Sequence, residues 1–216
     1  MRHGFTLAEL LVVVAIIGLL SGLLIPTISL AVRTAWRTAC ASNLRQVGMA
    51  CVVYSGQWDG LLPAEGNCGI TDPARSPAWF LRLPEMVDSN AKTKPKRSIF
   101  QCAAYRWNGP QIFTNASPKS YKMNSYLDDR GRSWYPSVTM PQAGRVVLFA
   151  DAIAGETGMG QWGELKASGV DDSRHRGAVN VLHGDGHTLS VIASPNRRDG
   201  WKTALTWLPD GWPGAP

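Results

Sequence analysis

None of the four cysteines, Cys40, Cys51, Cys68 and Cys102, forms a Cys-x-x-Cys pair with another. A zinc ribbon and a thioredoxin-type redox motif both use that spacing, so the sequence gives no sign of either. Also missing are a Ser/His/Asp elbow, a His-Glu-x-x-His helix and a phosphate loop, which leaves an enzymatic reading without a motif. No stretch repeats and none is low in complexity, so a repeat array or a long disordered tract is not expected. The net charge is +6, and the densest basic stretch is Lys92, Lys94, Lys96 and Arg97. No nucleic-acid motif accompanies it, so the excess reads as solvated surface and nucleic acid is not an expected partner. A conventional secretory signal is lacking too, because no small-residue cleavage site follows the apolar run.

What is present is uneven. At 216 residues the chain suits one compact domain plus an anchor. Hydrophobic residues make up 44%, and much of that share falls between Phe5 and Ile25. Those 21 residues span ~32 Å as a helix, enough to cross the ~30 Å hydrocarbon layer. Gly4 precedes the run, and Glu9 sits near its start. A carboxylate there is costly unless it is paired or reaches the membrane boundary, so Glu9 is a functional candidate. Positive charge does not fix the orientation: Arg2 lies before the span and Arg33 and Arg37 after it.

The run RHGFTLAELLVVVAIIGLL resembles the leader and cleavage site of type IV prepilins and type II secretion pseudopilins. The family pattern is a basic leader ending in Gly, then Phe, Thr-Leu-x-Glu and an apolar helix. The resemblance implies cleavage between Gly4 and Phe5 by prepilin peptidase and N-methylation of Phe5. It implies that Glu9 neutralises the new amine of a neighbouring subunit, and that the head is exported from the inner membrane. Opposite charges in a low-dielectric bundle favour the one register in which they meet. Pro26 matches a proline common in the family helix; lacking an N–H, it permits a kink or local melting.

After Pro26 the next proline is Pro63. Apolar residues recur at Trp36, Cys40, Leu44, Val47, Cys51 and Tyr54, with spacings of 4, 4, 3, 4 and 3. That is one helical stripe. The helix is expected to continue to about Tyr54, with Gly56 and Asp59-Gly60 stopping it. Cys40 and Cys51 on that helix are ~16 Å apart and cannot pair. Any disulfide from either goes to Cys68 or Cys102, and an exported head permits one. The alternative is four small buried hydrophobes.

The head is expected to be loop-rich. A short helix is placed near Trp79–Val87, and strands at Ser98–Cys102, within 117–127, and at Arg145–Ala150. Two alternating runs flank Asp185-Gly186, which predicts a hairpin of Ala178–His183 and His187–Ile192 on a two-residue turn. That turn sets Leu182 opposite Leu189 and Asn180 opposite Val191. The stretch around Asn43, Leu44 and Gln46 (CASNLRQ), with His175 nine residues before Asp185-Gly186, resembles a large pilin-like group with a His-x9-Asp-Gly signature. The position before the turn, aromatic in that group, is His183 here.

Asp151, Asp171, Asp172, His175, His183, Asp185 and His187 invite an active-site reading. A straight hairpin puts His175 and Asp185 ~26 Å or more apart, so they share no site. Asp185 reads as turn chemistry through a positive φ, and Asp151 as a partner for His175 or Arg174. No cofactor is expected; calcium at Asp171 and Asp172 is the candidate if a metal binds. Trp134, Trp162, Trp201, Trp207 and Trp212 read as core or subunit contacts, or else as an aromatic binding surface.

The expected fold is α+β: a long N-terminal helix, half transmembrane and half amphipathic, packed on a small antiparallel sheet with long loops. The expected layout is a leader at 1–4, a membrane half at 5–26, an amphipathic half at 27–56, a head at 57–200 and a Trp/Pro/Gly-rich tail at 201–216. The expected role is a non-enzymatic filament or pseudopilus subunit. The alternative is an anchored envelope protein that binds glycan or another polymer.

Overall fold

A computed structural model describes residues 6–66, 75, 78–87, 99–106, 120–127, 140–153, 164–192 and 200–208. Gly4, Phe5, Cys68, Trp134, Trp162, Trp212 and the basic stretch at 92–97 lie outside these residues. The protein is α+β: one long helix and a second short one lie on one face of a small sheet.

Helix α1 runs Leu7–Gln57, 51 residues, or ~76 Å. Thr6 caps it, in a box closed by Glu9. No residue of α1 before Cys40 is buried. Large apolar side chains from Leu7 to Val32 stand exposed, and this is the one described helix long and apolar enough to cross a membrane. Beyond it, Cys40, Leu44, Val47, Cys51 and Tyr54 are buried as the stripe predicts, joined by Gly48, Ala50 and Ser55. The helix passes Gly56 and ends at Gln57. It stops there because Asp59 and Gly60 adopt positive φ of 51° and 79°, and the Gly60 amide turns back to the Ser55 carbonyl.

The sheet has strands β1 (Tyr121–Asn124), β2 (Val147–Asp151), β3 (Glu164–Leu165), β4 (Ala178–His183) and β5 (Thr188–Ile192), in the order β3-β1-β2-β4-β5. Four strands are antiparallel neighbours; the two-residue β3 adds a parallel edge beside β1. Side chains alternate between two cores. Leu182 and Phe149 face α1 and helix α2 (Trp79–Val87), where Trp79 meets Phe149 edge-on at 5.0 Å. Val179 and Val181 face the other way, onto Trp201, Leu205 and Trp207 around helix α3 (Gly200–Ala204).

Several boundaries differ from the sequence expectation. Residues 99–102 form turns rather than a strand, since the amide of Cys102 is taken by the Ser120 hydroxyl instead of a ladder. Arg145 lies in a turn and β2 begins at Val147. The core also continues past residue 200 through Leu208, so the start of the expected tail is part of the head. The hairpin register is off by one residue. Leu182 pairs with Thr188 and Asn180 with Ser190, because the loop has three residues, 184–186, closed by the His183 amide on the His187 carbonyl. The positive φ belongs to Gly186, at 88°, and not to Asp185. This is a turn followed by a glycine bulge, which accepts Asp-Gly as readily as the two-residue turn does.

Candidate functional site

The first region is the head of α1. Glu9 is the third residue of the helix, where a carboxylate can reach back to the cap. Its Oε2 accepts from the Thr6 amide and the Thr6 hydroxyl, both at 2.8 Å, while the Glu9 amide donates to the Thr6 hydroxyl at 3.3 Å. The Thr-x-x-Glu pattern that encodes this box stands in the sequence, beside the assembly role that the resemblance implies for Glu9. The helix continues through Pro26 without a break. Around it, the Thr27 hydroxyl donates to the Leu24 carbonyl at 2.8 Å and the Ser29 hydroxyl to the Pro26 carbonyl at 2.8 Å. Such hydroxyls satisfy backbone groups in an apolar segment.

The second region is a buried polar cluster where the C-terminal end of β2 meets the segment leading into β4. Asp151 is wholly buried. Its Oδ1 accepts from Arg174 at 3.1 Å and its Oδ2 from the Asn180 amide at 2.8 Å. Arg174 also donates to the Ser120 carbonyl at 3.1 Å, the Ala152 carbonyl and Asp171 Oδ2 at 2.7 Å, and its guanidinium lies 4.9 Å from the Tyr105 ring centre. His175 follows, with Nε2 3.5 Å from Asp151 Oδ2 and 3.5 Å from Cys102 Sγ. The bridge left open between Cys68 and Cys102 is resolved: Cys40 and Cys102 form a disulfide. It ties α1 to the floor of this cluster.

Burial sets the electrostatics. It pushes the Asp151 carboxyl up to about 7, against the pull of Arg174 and the Asn180 amide. It brings His175 down to about 4, helped by Arg174. The hydroxyl of Tyr105 is pushed up to about 12 by burial and has no partner among the described residues. Burial likewise pushes the free Cys51 thiol up to about 12, so Cys51 behaves as a small hydrophobe.

The expected pairing of Asp151 with Arg174 or His175 is therefore present with both. The calcium expectation meets a different chemistry: Asp171 gives Oδ1 to the Ser173 amide and hydroxyl and Oδ2 to Arg174. Its carboxylate is a structural acceptor, and Asp172 beside it gives its backbone carbonyl to the Gly177 amide.

The remaining signature residues lie on the buried half of α1 and at the hairpin tip. Asn43 donates to the Gln101 carbonyl at 3.3 Å, Leu44 is fully buried, and Gln46 is half-buried beside them. The Tyr121 hydroxyl donates to the Cys40 carbonyl at 3.2 Å. At the hairpin tip Asp185 Oδ1 accepts from the His187 amide at 3.0 Å and lies 2.6 Å from its Nδ1. Burial raises the Asp185 carboxyl, but the amide and ring of His187 outweigh it and hold the group below its usual value. The His183 and His187 rings stack at 4.2 Å. The tip meets α1 at Gly48, where a Cβ would stand 2.9 Å from Leu182 and 3.6 Å from Gly186. His175 and Asp185 bracket β4 from its two ends, as the sequence geometry requires.

These features define a chain with one membrane-length N-terminal helix and a small α+β head in a pilin-like layout. Residues 1–25 match the prokaryotic N-terminal methylation motif, which supports a type IV pilin-like precursor. The match does not reach His175 or Asp185-Gly186. Comparison with curated proteins and with solved structures gave no match.

Proposed function

We propose that the chain is a structural subunit of a type IV pilus-like filament or of a type II secretion pseudopilus. One observation carries this reading. The methylation motif heads a helix whose large apolar side chains from Leu7 to Val32 are left exposed by the chain's own head. An apolar rod of that length needs other company: the inner membrane before assembly, and the helices of other subunits afterwards. In this reading prepilin peptidase cuts after Gly4, Phe5 is methylated, and the head lies outside the inner membrane. The head is not an enzyme. The buried carboxylates of Asp151 and Asp171 are held by Arg174, backbone amides and the Ser173 hydroxyl, which supports a structural role.

The anchored envelope-binding reading leaned on exposed tryptophans. Trp201 and Trp207 are core residues, which weakens it. Intact mass of the protein from its native membrane tests the choice. A species beginning at Phe5 with one added methyl group is expected. A species that keeps Met1 to Gly4 would make the leader a plain anchor and bring the binding-protein reading forward.

A further inference from the structure

Cys40 Sγ, Cys102 Sγ and His175 Nε2 all lie within 4.8 Å of one another in a buried cluster. Asp151 Oδ2 stands 3.5 Å from the same His175 nitrogen. A tetrahedral zinc ion with bonds of about 2.3 Å to sulfur and about 2.0 Å to nitrogen or oxygen separates a sulfur from a nitrogen by about 3.6 Å, and a nitrogen from an oxygen by about 3.3 Å. The Cys102–His175 distance, 3.5 Å, already falls near the first of those edges. The two sulfurs are too close, because they are bonded to each other, and Asp151 reaches His175 but lies outside the group of three.

We propose that with the disulfide opened this cluster is a zinc site, its protein ligands being Cys40, Cys102 and His175 and its fourth ligand a water. Opening takes two electrons and two protons and leaves two thiols. A phosphine reductant supplies the electrons and becomes the phosphine oxide, with water giving its oxygen and the two protons. One divalent cation then enters as the two thiol protons leave, so the buried cluster keeps its net charge. That balance matters, since an uncompensated charge at this depth is strongly disfavoured.

The surroundings suit such a centre. Arg174 holds Asp151 Oδ1 and the Asn180 amide holds Oδ2, so the carboxylate is fixed beside His175. Three elements meet at the cluster: α1 through Cys40, the 99–106 segment through Cys102, and the approach to β4 through His175. Either the disulfide or the metal would staple the helix to the head. The redox state of the compartment would decide which, before or after assembly alike.

The test uses the full chain in detergent, reduced with a phosphine and titrated with cobalt(II). One equivalent is expected to give thiolate-to-cobalt charge transfer and the visible bands of a tetrahedral ion, both erased by zinc. The unreduced chain is expected to give neither, and Cys51→Ser with Cys68→Ser is expected to keep both. His175→Gln is expected to bind at least tenfold more weakly. In the reduced wild-type chain, zinc is expected to slow alkylation of Cys40 and Cys102 together, a readout that needs no variant. Absence of the charge-transfer band, its survival in Cys102→Ser, or zinc protection confined to Cys51 or Cys68 would overturn the proposal.

Discussion

The Cα atoms of Cys40 and Cys102 lie 5.0 Å apart, joined by a disulfide across a separation of 62 residues. One partner is on the last buried half of α1 and the other sits under β1. A cross-link of that span removes about 4 kcal/mol of loop-closure entropy from the unfolded chain. Cys102→Ser is therefore expected to lower the denaturant midpoint of the head markedly, and reducing the wild-type chain without metal should reproduce much of the shift. Equal midpoints for reduced and oxidised wild-type protein would mean that packing alone holds α1 to the sheet.

The Asp151–His175 pair predicts an unusual pH response. His175 titrates near 4 instead of 6.5. Its folded pKa is lowered, so the stability it contributes is present above 6.5 and lost as pH falls toward 4. Asp151 titrates near 7 instead of 3.8. Its folded pKa is raised, so its contribution is present below 3.8 and lost as pH rises toward 7. The two slopes oppose each other over nearly the same window. The contributions of this pair to wild-type stability are expected to nearly cancel between pH 4 and 7, leaving a rise toward 6.5 from His183, whose folded pKa is lowered by burial. His175→Phe should unmask a fall in stability with rising pH, and Asp151→Asn a rise. Denaturation midpoints across that range check the signs. A steep wild-type profile with unchanged slopes in both variants would refute the coupling.

Gly186 carries φ of 88° at the hairpin bulge. A Cβ there meets open space, so any penalty is conformational and not steric crowding. Gly186→Ala should cost about 1–2 kcal/mol. Asp185→Ala removes the acceptor for the His187 amide and its ring, and should cost less than Gly186→Ala because that pair is exposed. Thermal unfolding of the two variants gives the order.

Much of this was readable from sequence where local period decides. The stripe from Cys40 to Tyr54 and the 178–192 hairpin follow from spacing alone. The pairing register does not, because Asp-Gly serves both a two-residue turn and a glycine bulge. What selects the bulge is tertiary: Gly48 of α1 against Leu182, and a Cβ at Gly184 coming within 3.2 Å of Ala143 and Met140. The partner of Cys40 stayed open for the same reason, since loop length carries no register. Trp201 and Trp207 are core, as one of their readings expects, but which core they fill was hidden. Their local context is loop-like, and only the second face of the sheet makes them core.

Glu9 has two candidate duties, and a pair of substitutions separates them. It caps its own helix through Thr6, and in the filament reading it meets the amine of a neighbour. Glu9→Gln keeps an oxygen that can accept from Thr6 but removes the charge; Glu9→Leu removes both. If the cap dominates, Glu9→Gln should behave like wild type and Glu9→Leu should lose about 1 kcal/mol of helix stability. If the charge dominates, both variants should insert normally and both should fail to assemble, because the apolar run from Leu10 onward is intact in each. The second outcome is expected: an amine buried among apolar helices without its carboxylate is far costlier than one lost cap. Co-fractionation of each variant with assembled subunits, beside its yield in the membrane fraction, reads the difference. Normal incorporation of Glu9→Leu would remove Glu9 from assembly altogether.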